Sequence, residues 1–239
     1  EAKLDDILNN PGVLKRTVVK EIEADAKQFG DERRTLIQAE KRAVAEVKVL
    51  DEPVTVVISE KGWVRARTGH GHDPAGFAFK AGDGLYGTFE CRTVDPLIVI
   101  GSNGRVYSVA VSALPGARGD GQPITTMIEL ESGTQPLHYL AGQVDQTVLL
   151  ANSGGFGLLA KLGDLITRQK GGKGFQTLDE GDKVLPPVLV QPAHTQVACL
   201  SEDGRMLVFG LDELKLQSNG GRGLTLMDVD AQKAPLISV

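Results

Sequence analysis

The chain has 239 residues, 41% hydrophobic and 24% charged, with 29 glycines and 11 prolines, the profile of a soluble chain rich in turns and strands, and no apolar run approaches a membrane span. Its 26 Lys plus Arg against 31 Asp plus Glu give a net charge of −5 and a pI near 5.5, which excludes a uniformly basic nucleic-acid coat and requires any polyanion footprint to be local. Cys91 and Cys199 lack CxxC spacing and read as buried thiols of a reducing cytosol rather than a disulfide or a metal site.

From the start of the chain, Leu14, Val18, Ile22, Ala26 and Phe29 recur every three or four residues between charges. This predicts an amphipathic helix from Val13 to Phe29, stopped by Gly30. Pro11-Gly12 separates it from a shorter helical piece around Leu4 to Leu8. Beyond the charged turn at Asp31 to Thr35, Gln38 to Val49 reads either as a second short helix or as a strand, closed by Pro53. No signal peptide is visible and there is no initiating Met, so a fragment is expected. A lone helix of this size needs an apolar partner, and residues 1 to 50 read as the tail of a larger helical neighbour plus a linker. Residues 51 to 239 read as a separate β domain.

Four hairpins follow in register. The apolar runs Val54–Ile58, Pro96–Ile100, Thr147–Ala151 and Thr195–Leu200 each lead into a four-residue turn closed by Gly62, Gly104, Gly155 or Gly204, and then into a second strand. The turn glycines are 42, 51 and 49 residues apart, the period of propeller-like arrays whose units bury their apolar faces only by stacking. Behind three of the turns lies a Gly-rich, basic loop. Gly155 to Gly171 and Gly204 to Gly220 both span 16 residues, and Gly104 to Gly119 spans 15. The first unit departs, with Arg65-Ala66-Arg67-Thr68-Gly69-His70-Gly71-His72 close behind its turn. A short apolar strand is expected after each loop, at Ile124–Ile128, Phe175–Leu178 and Leu224–Met227, giving about four strands per unit. Ala234–Val239 reads as the opening of a further unit, which implies an open or broken ring.

The loops Lys170-Gly171-Gly172-Lys173-Gly174 and Gly220-Gly221-Arg222-Gly223 suit a polyanion. Glycine lets backbone N–H groups approach a phosphate, and Arg168, Lys170, Lys173 and Arg222 supply charge that releases counterions without reading sequence. Arg65, Arg67, Arg105, Arg118 and Arg205 are weaker candidates, because an Arg after a tight turn is more often only a solvated strand end. Other signals carry less. Gly82–Gly87 fits GxGxxG but leads into a strand-like run, and Gly155–Ala160 fits the GxGxxA variant but starts on a hairpin glycine. Gly172-Lys173 is followed by Gly174 rather than Ser or Thr, so there is no ATP-binding loop. His70, His72 and Asp73 have no further ligand nearby and read as an exposed loop.

Val18 to Thr35, with its FGDERRT run, resembles the helix that ends the breakage-and-rejoining core of bacterial type IIA topoisomerase A subunits. Glu52 to Arg65, containing SEKGWVR, resembles the first blade of the C-terminal domain in the topoisomerase IV branch of that family, and the similarity runs over essentially the whole chain. The resemblance implies a mainly β fold, a β-pinwheel of about four strand-exchanged blades behind a short helical connector. The gyrase branch carries a seven-residue basic box, which Arg168–Gly174 and Gln217–Gly223 match only in degenerate form. The resemblance therefore implies capture and bending of duplex DNA for decatenation or relaxation during chromosome segregation, rather than strong wrapping. The alternatives are a gyrase-type wrapping domain and a protein-docking ring without DNA.

The same resemblance places the cleaving tyrosine, ATP hydrolysis and Mg2+ elsewhere in the parent isomerase, leaving this chain non-catalytic and without a cofactor of its own. The implied partners are double-stranded DNA, the B subunit of topoisomerase IV, and a second copy of the A subunit, in the cytoplasm at the nucleoid and without a membrane. Tyr86, Tyr107 and Tyr139 are expected to pack within strands.

Overall fold

The computed structural model describes residues 2–31, 49–116 and 119–239. The chain divides into two compact units, Glu1–Val47 and Lys48–Val239. In the first, helix α1 (Ala2–Asn9) is followed by helix α2 (Pro11–Phe29). Asn10 caps α2 by accepting a hydrogen bond from the Gly12 N–H at 3.1 Å, and Pro11 stands in the first turn, where its missing N–H is not needed. Gly30 ends the helix as expected, but in an extended conformation, φ −67°, rather than a left-handed one. The expected element at Gln38 to Val49 lies, apart from Val49, outside the described residues.

The second unit contains fifteen strands among the described residues. They are β1 (Pro53–Ser59), β2 (Trp63–Thr68), β3 (Leu85–Arg92), β4 (Pro96–Gly101), β5 (Arg105–Ala110), β6 (Gln122–Pro123), β7 (Pro136–Ala141), β8 (Thr147–Ala151), β9 (Phe156–Lys161), β10 (Lys173–Gly174), β11 (Val188–Val190), β12 (Gln196–Ser201), β13 (Met206–Gly210), β14 (Leu224–Thr225) and β15 (Leu236–Ser238). All four predicted hairpins form, as β1–β2, β4–β5, β8–β9 and β12–β13, each antiparallel. The turn glycines Gly62, Gly104, Gly155 and Gly204 take φ of +76°, +75°, +85° and +83°.

The sheets run β3-β1-β2-β6, β10-β5-β4-β7, β11-β8-β9-β14 and β13-β12-β15. The outer strand of each of the first three sheets therefore comes from the next repeat: β6, β10 and β14 are the ends of the Gly-rich loops. This corrects the expected strands behind the loops. Strand pairing to the preceding sheet is confined to Gln122–Pro123, Lys173–Gly174 and Leu224–Thr225, Gln176 makes a single parallel bridge to Gly221, and Ile124–Thr126 is a 3-10 turn. The chain leaves the sheet there because Ile124, Phe175 and Leu226 turn down into the cores. The end of the chain is also corrected. β15 pairs with β12 and completes the inner side of the fourth sheet instead of opening another unit.

Three cores lie between consecutive sheets. Val56, Ile58 and Val64 meet Leu97, Val99 and Tyr107; Ile98 and Ile100 meet Val148, Leu150 and Leu158; Leu149 and Leu159 meet Val197, Cys199 and Leu236. β4 is buried along its whole length because successive residues serve two cores, whereas β12 alternates exposed and buried because one of its faces is uncovered. Among the described residues no core joins the fourth sheet to the first, and no strand covers the outer edge of β13, so the array is open.

Two titration results follow from this packing. Burial, and then the charge of Asp95, push the Cys91 thiol up to about 12, and burial raises Cys199. Both thiols are expected to resist iodoacetamide at pH 8 in the folded protein and to react on unfolding, as read by mass spectrometry. Burial also holds the His138 imidazole below its ordinary 6.5, against a weaker pull from the Val184 carbonyl. The folded state then takes up a proton less readily than the unfolded chain. Stability from His138 is complete above pH 6.5 and lost as pH falls through the depressed value. Urea midpoints measured from pH 7 to pH 5 should fall less steeply in His138→Gln than in the parent.

Candidate nucleic-acid interface

Glycine is needed in the loops first because a backbone must approach another backbone of the same chain. At Gly172, with φ +65°, a Cβ would lie 2.6 Å from the Val106 carbonyl oxygen. At Gly223, with φ +84°, it would lie 2.1 Å from that of Gly157. Both close contacts lie at the edge where the loop is handed to the preceding sheet. Gly171 differs, for nothing lies within 4 Å of where its Cβ would be.

The basic side chains divide by what holds them. The side chains of Arg168 and Lys170 are exposed, with no ion pair or hydrogen bond among the described residues, while the Lys170 carbonyl accepts from the Glu129 N–H at 2.9 Å. Lys173 donates from Nζ to the Asp164 carbonyl at 2.6 Å and lies 5.6 Å from the centre of the Phe175 ring. Arg222 pairs with the exposed Asp179 carboxylate and stacks over Phe156, 4.0 Å from the ring centre. An exposed pair of that kind contributes about 0–1 kcal/mol, so Arg222 can exchange Asp179 for another anion at little cost.

The loops of the third and fourth units adjoin. The Gly221 N–H donates to the Phe175 carbonyl at 2.7 Å, and the Thr177 N–H donates to that of Gly221 at 3.0 Å. Lys173 and Arg222 thus emerge from neighbouring segments, with Lys170 three residues before Lys173.

Of the other candidates, Arg105 and Arg65 are engaged inside the protein. Arg105 donates from Nε and one terminal nitrogen to the Gly171 carbonyl, at 3.3 and 3.0 Å, and also to that of Gly172 at 3.0 Å. Its other terminal nitrogen lies 3.3 Å from Glu131. Arg65 is 6% exposed and donates to the carbonyls of Gly119 at 2.6 Å and Ala78 at 2.7 Å. Arg205 pairs with Asp203 at 2.9 Å; the Ser201 hydroxyl, and then Arg205, hold that carboxyl below the ordinary carboxylate range. Arg67 is exposed, 5.8 Å from the centre of the Phe77 ring, and Arg118 lies outside the described residues.

Sequence reasoning missed the inward role of Arg65 and Arg105. Position after a turn does not reveal that a carbonyl from the next repeat waits opposite. The remaining motifs sit in local structure. His70 and His72 bond the carbonyls of Cys91 and Thr68, and Asp73 caps the short turn at Pro74–Gly76. Tyr86 and Tyr139 stack edge-on at 5.0 Å, and Tyr107 is fully buried. Among the described residues no helix is long and apolar enough to cross a membrane.

The sequence model of the DNA gyrase C-terminal domain, beta-propeller, matches residues 95–131, 146–190 and 195–232, which fall in the second, third and fourth repeats. The chain is 40% identical over 240 residues to the A subunit of DNA topoisomerase 4 from Neisseria gonorrhoeae, covering 97% of this chain and 31% of that protein. It is 34% identical over 235 residues to the corresponding protein of Escherichia coli K12, with 97% and 31% covered. The chain therefore spans about a third of the length of these curated relatives. Among solved structures, the C-terminal domain of E. coli ParC superposes with a TM-score of 0.73 at 33% identity over 78% of each chain. A DNA gyrase A C-terminal domain shares the fold at a TM-score of 0.54 and 20% identity, with 78% of this chain and 64% of that one covered.

Proposed function

For a chain that belongs to the DNA gyrase C-terminal domain, beta-propeller, family, and that matches the A subunits of topoisomerase IV along nearly its whole length, we propose that it is a duplex-DNA-binding module of such a protein. The observation that carries this reading is the pair of exposed cations Arg168 and Lys170, unpartnered among the described residues, beside Lys173 and the readily released Arg222. They stand on adjoining loops of a molecule whose net charge is −5. Binding is then local and sequence-independent, resting on phosphate neutralisation and counterion release. The module would hold or bend a DNA segment for passage, while the chemistry proceeds elsewhere in the cytoplasmic parent enzyme with ATP, Mg2+, the B subunits and the second A subunit. The degenerate boxes at Arg168–Gly174 and Gln217–Gly223 favour capture over gyrase-type wrapping.

Fluorescence anisotropy of a labelled linear duplex across a salt series tests this. The expected plot of log K against log salt has a slope of roughly −2 to −4, for two to four phosphate contacts. Affinity that does not change with salt would reject phosphate contact and leave the protein-docking alternative.

A further inference from the structure

We propose that Arg105 is a positioning residue, a latch by which the second sheet sets the shape of the third-unit loop before any DNA arrives. The reading deepens the proposed function and rests on it in one of its two tests. Three features carry it. The half-buried guanidinium of Arg105 spans the Gly171 and Gly172 carbonyls, which come from the next repeat. Its remaining edge is held by Glu131, so the fork is oriented from both sides. β10 is only two residues long, Lys173 opposite Val106 and Gly174 opposite Arg105, and the loop before it is tied by the Ser108 hydroxyl to Thr167 and by the Glu129 N–H to the Lys170 carbonyl, which leaves the Gly171 and Gly172 carbonyls to Arg105.

The consequence is electrostatic as well as geometric. Carbonyl oxygens turned outward would repel a phosphate, and Arg105 draws the Gly171 and Gly172 oxygens inward onto a cation. The side chains of Arg168 and Lys170 are left facing solvent. Arg65 makes the same kind of contact one junction earlier, from β2 to the Gly119 carbonyl. At the third junction the residue equivalent to Arg105 is Phe156, and there Arg222 of the loop stacks on the receiving sheet instead.

The first test needs no DNA. Amide hydrogen exchange at Gly172 and Lys173 should be at least about tenfold faster in Arg105→Gln, as expected for loss of charge-assisted hydrogen bonds. Arg105→Lys, which keeps the charge without the fork, should recover part of the protection, and Glu131→Gln should show a smaller loss. Exchange at β8 and β9, away from the latch, reports whether each variant remains folded. Unchanged exchange at Gly172 and Lys173 in a folded Arg105→Gln protein overturns the latch.

The second test uses the same anisotropy series. Arg105→Gln should weaken duplex binding about tenfold while leaving the salt slope intact, because no phosphate contact is removed. A slope smaller by about 0.9 would make Arg105 a direct contact and overturn the positioning role. If the parent protein binds no duplex, the proposed function fails while the exchange measurement still decides the latch.

Discussion

Exchanging two charges, Arg168→Glu together with Lys170→Glu, lowers affinity for linear duplex by roughly 60-fold at 0.1 M salt. The magnitude follows from counterion release, where each phosphate contact contributes about 0.9 log units per decade of salt below 1 M, so two lost contacts remove about 1.8. Neither side chain supports the fold, since both are exposed and hold no partner among the described residues. The urea midpoint should therefore stay within the range of ordinary surface changes, about 0.5 kcal/mol. Placing both substitutions in one protein matters because Lys173 and Arg222 adjoin the patch and would partly compensate a single loss. Unchanged duplex affinity in the double variant would move the interface off this loop.

Gly223→Val destabilises the protein by roughly 3–5 kcal/mol in urea unfolding. A left-handed backbone costs a branched side chain about 1–2 kcal/mol on its own. The rest comes from the clash, since a Cβ at this φ of +84° would sit 2.1 Å from the Gly157 carbonyl oxygen. Relieving it means lifting β14 from β9 and drawing Leu226 and Met227, 3% and 6% exposed, out of the core between the third and fourth sheets. Gly171→Ala is the matched control. Its Cβ meets nothing and its backbone is not left-handed, so stability should change by less than about 0.5 kcal/mol. Two glycines in similar Gly-rich loops thus separate cleanly, one required by the fold and the other free to face a ligand.

The hairpins were legible in the sequence because their signal is local. An apolar run, a four-residue turn and a terminal glycine define a strand pair without reference to anything distant, and all four appear at the predicted turns. The helix from Val13 to Phe29 was legible for the same reason, with its capping residues adjacent in sequence. What could not be read was the destination of the loops. Lys173 pairs with Val106 across 67 positions, and nothing in Lys-Gly-Gly-Lys-Gly distinguishes a glycine pressed against a neighbouring carbonyl from one open to a phosphate. The 16-residue distance from turn glycine to loop in the third and fourth units does not mark the landing point either, since the donated strands begin at Lys173 and Leu224, 18 residues after Gly155 and 20 after Gly204.

The site was legible in part. The loop carrying Arg168 and Lys170 stands exposed as its composition suggests. Arg105 and Arg65, which look identical on paper, turn onto carbonyls supplied by the next repeat, those of Gly171 and Gly119. β12 illustrates a related limit. Its buried face, with Val197 and Cys199, is apolar like β4, while Gln196, Ala198 and Leu200 lie on an uncovered face where β4 carries aliphatic residues on both.

The most direct test of the central claim, that a local cationic rim built by loop exchange binds duplex on an acidic protein, is a backbone NMR titration with a short duplex at low salt. The account predicts shifts concentrated at residues 168–174 and 217–223, reversed by raising the salt. Shifts centred on β12 and β13, or none in those two loops while binding is otherwise detected, would contradict it.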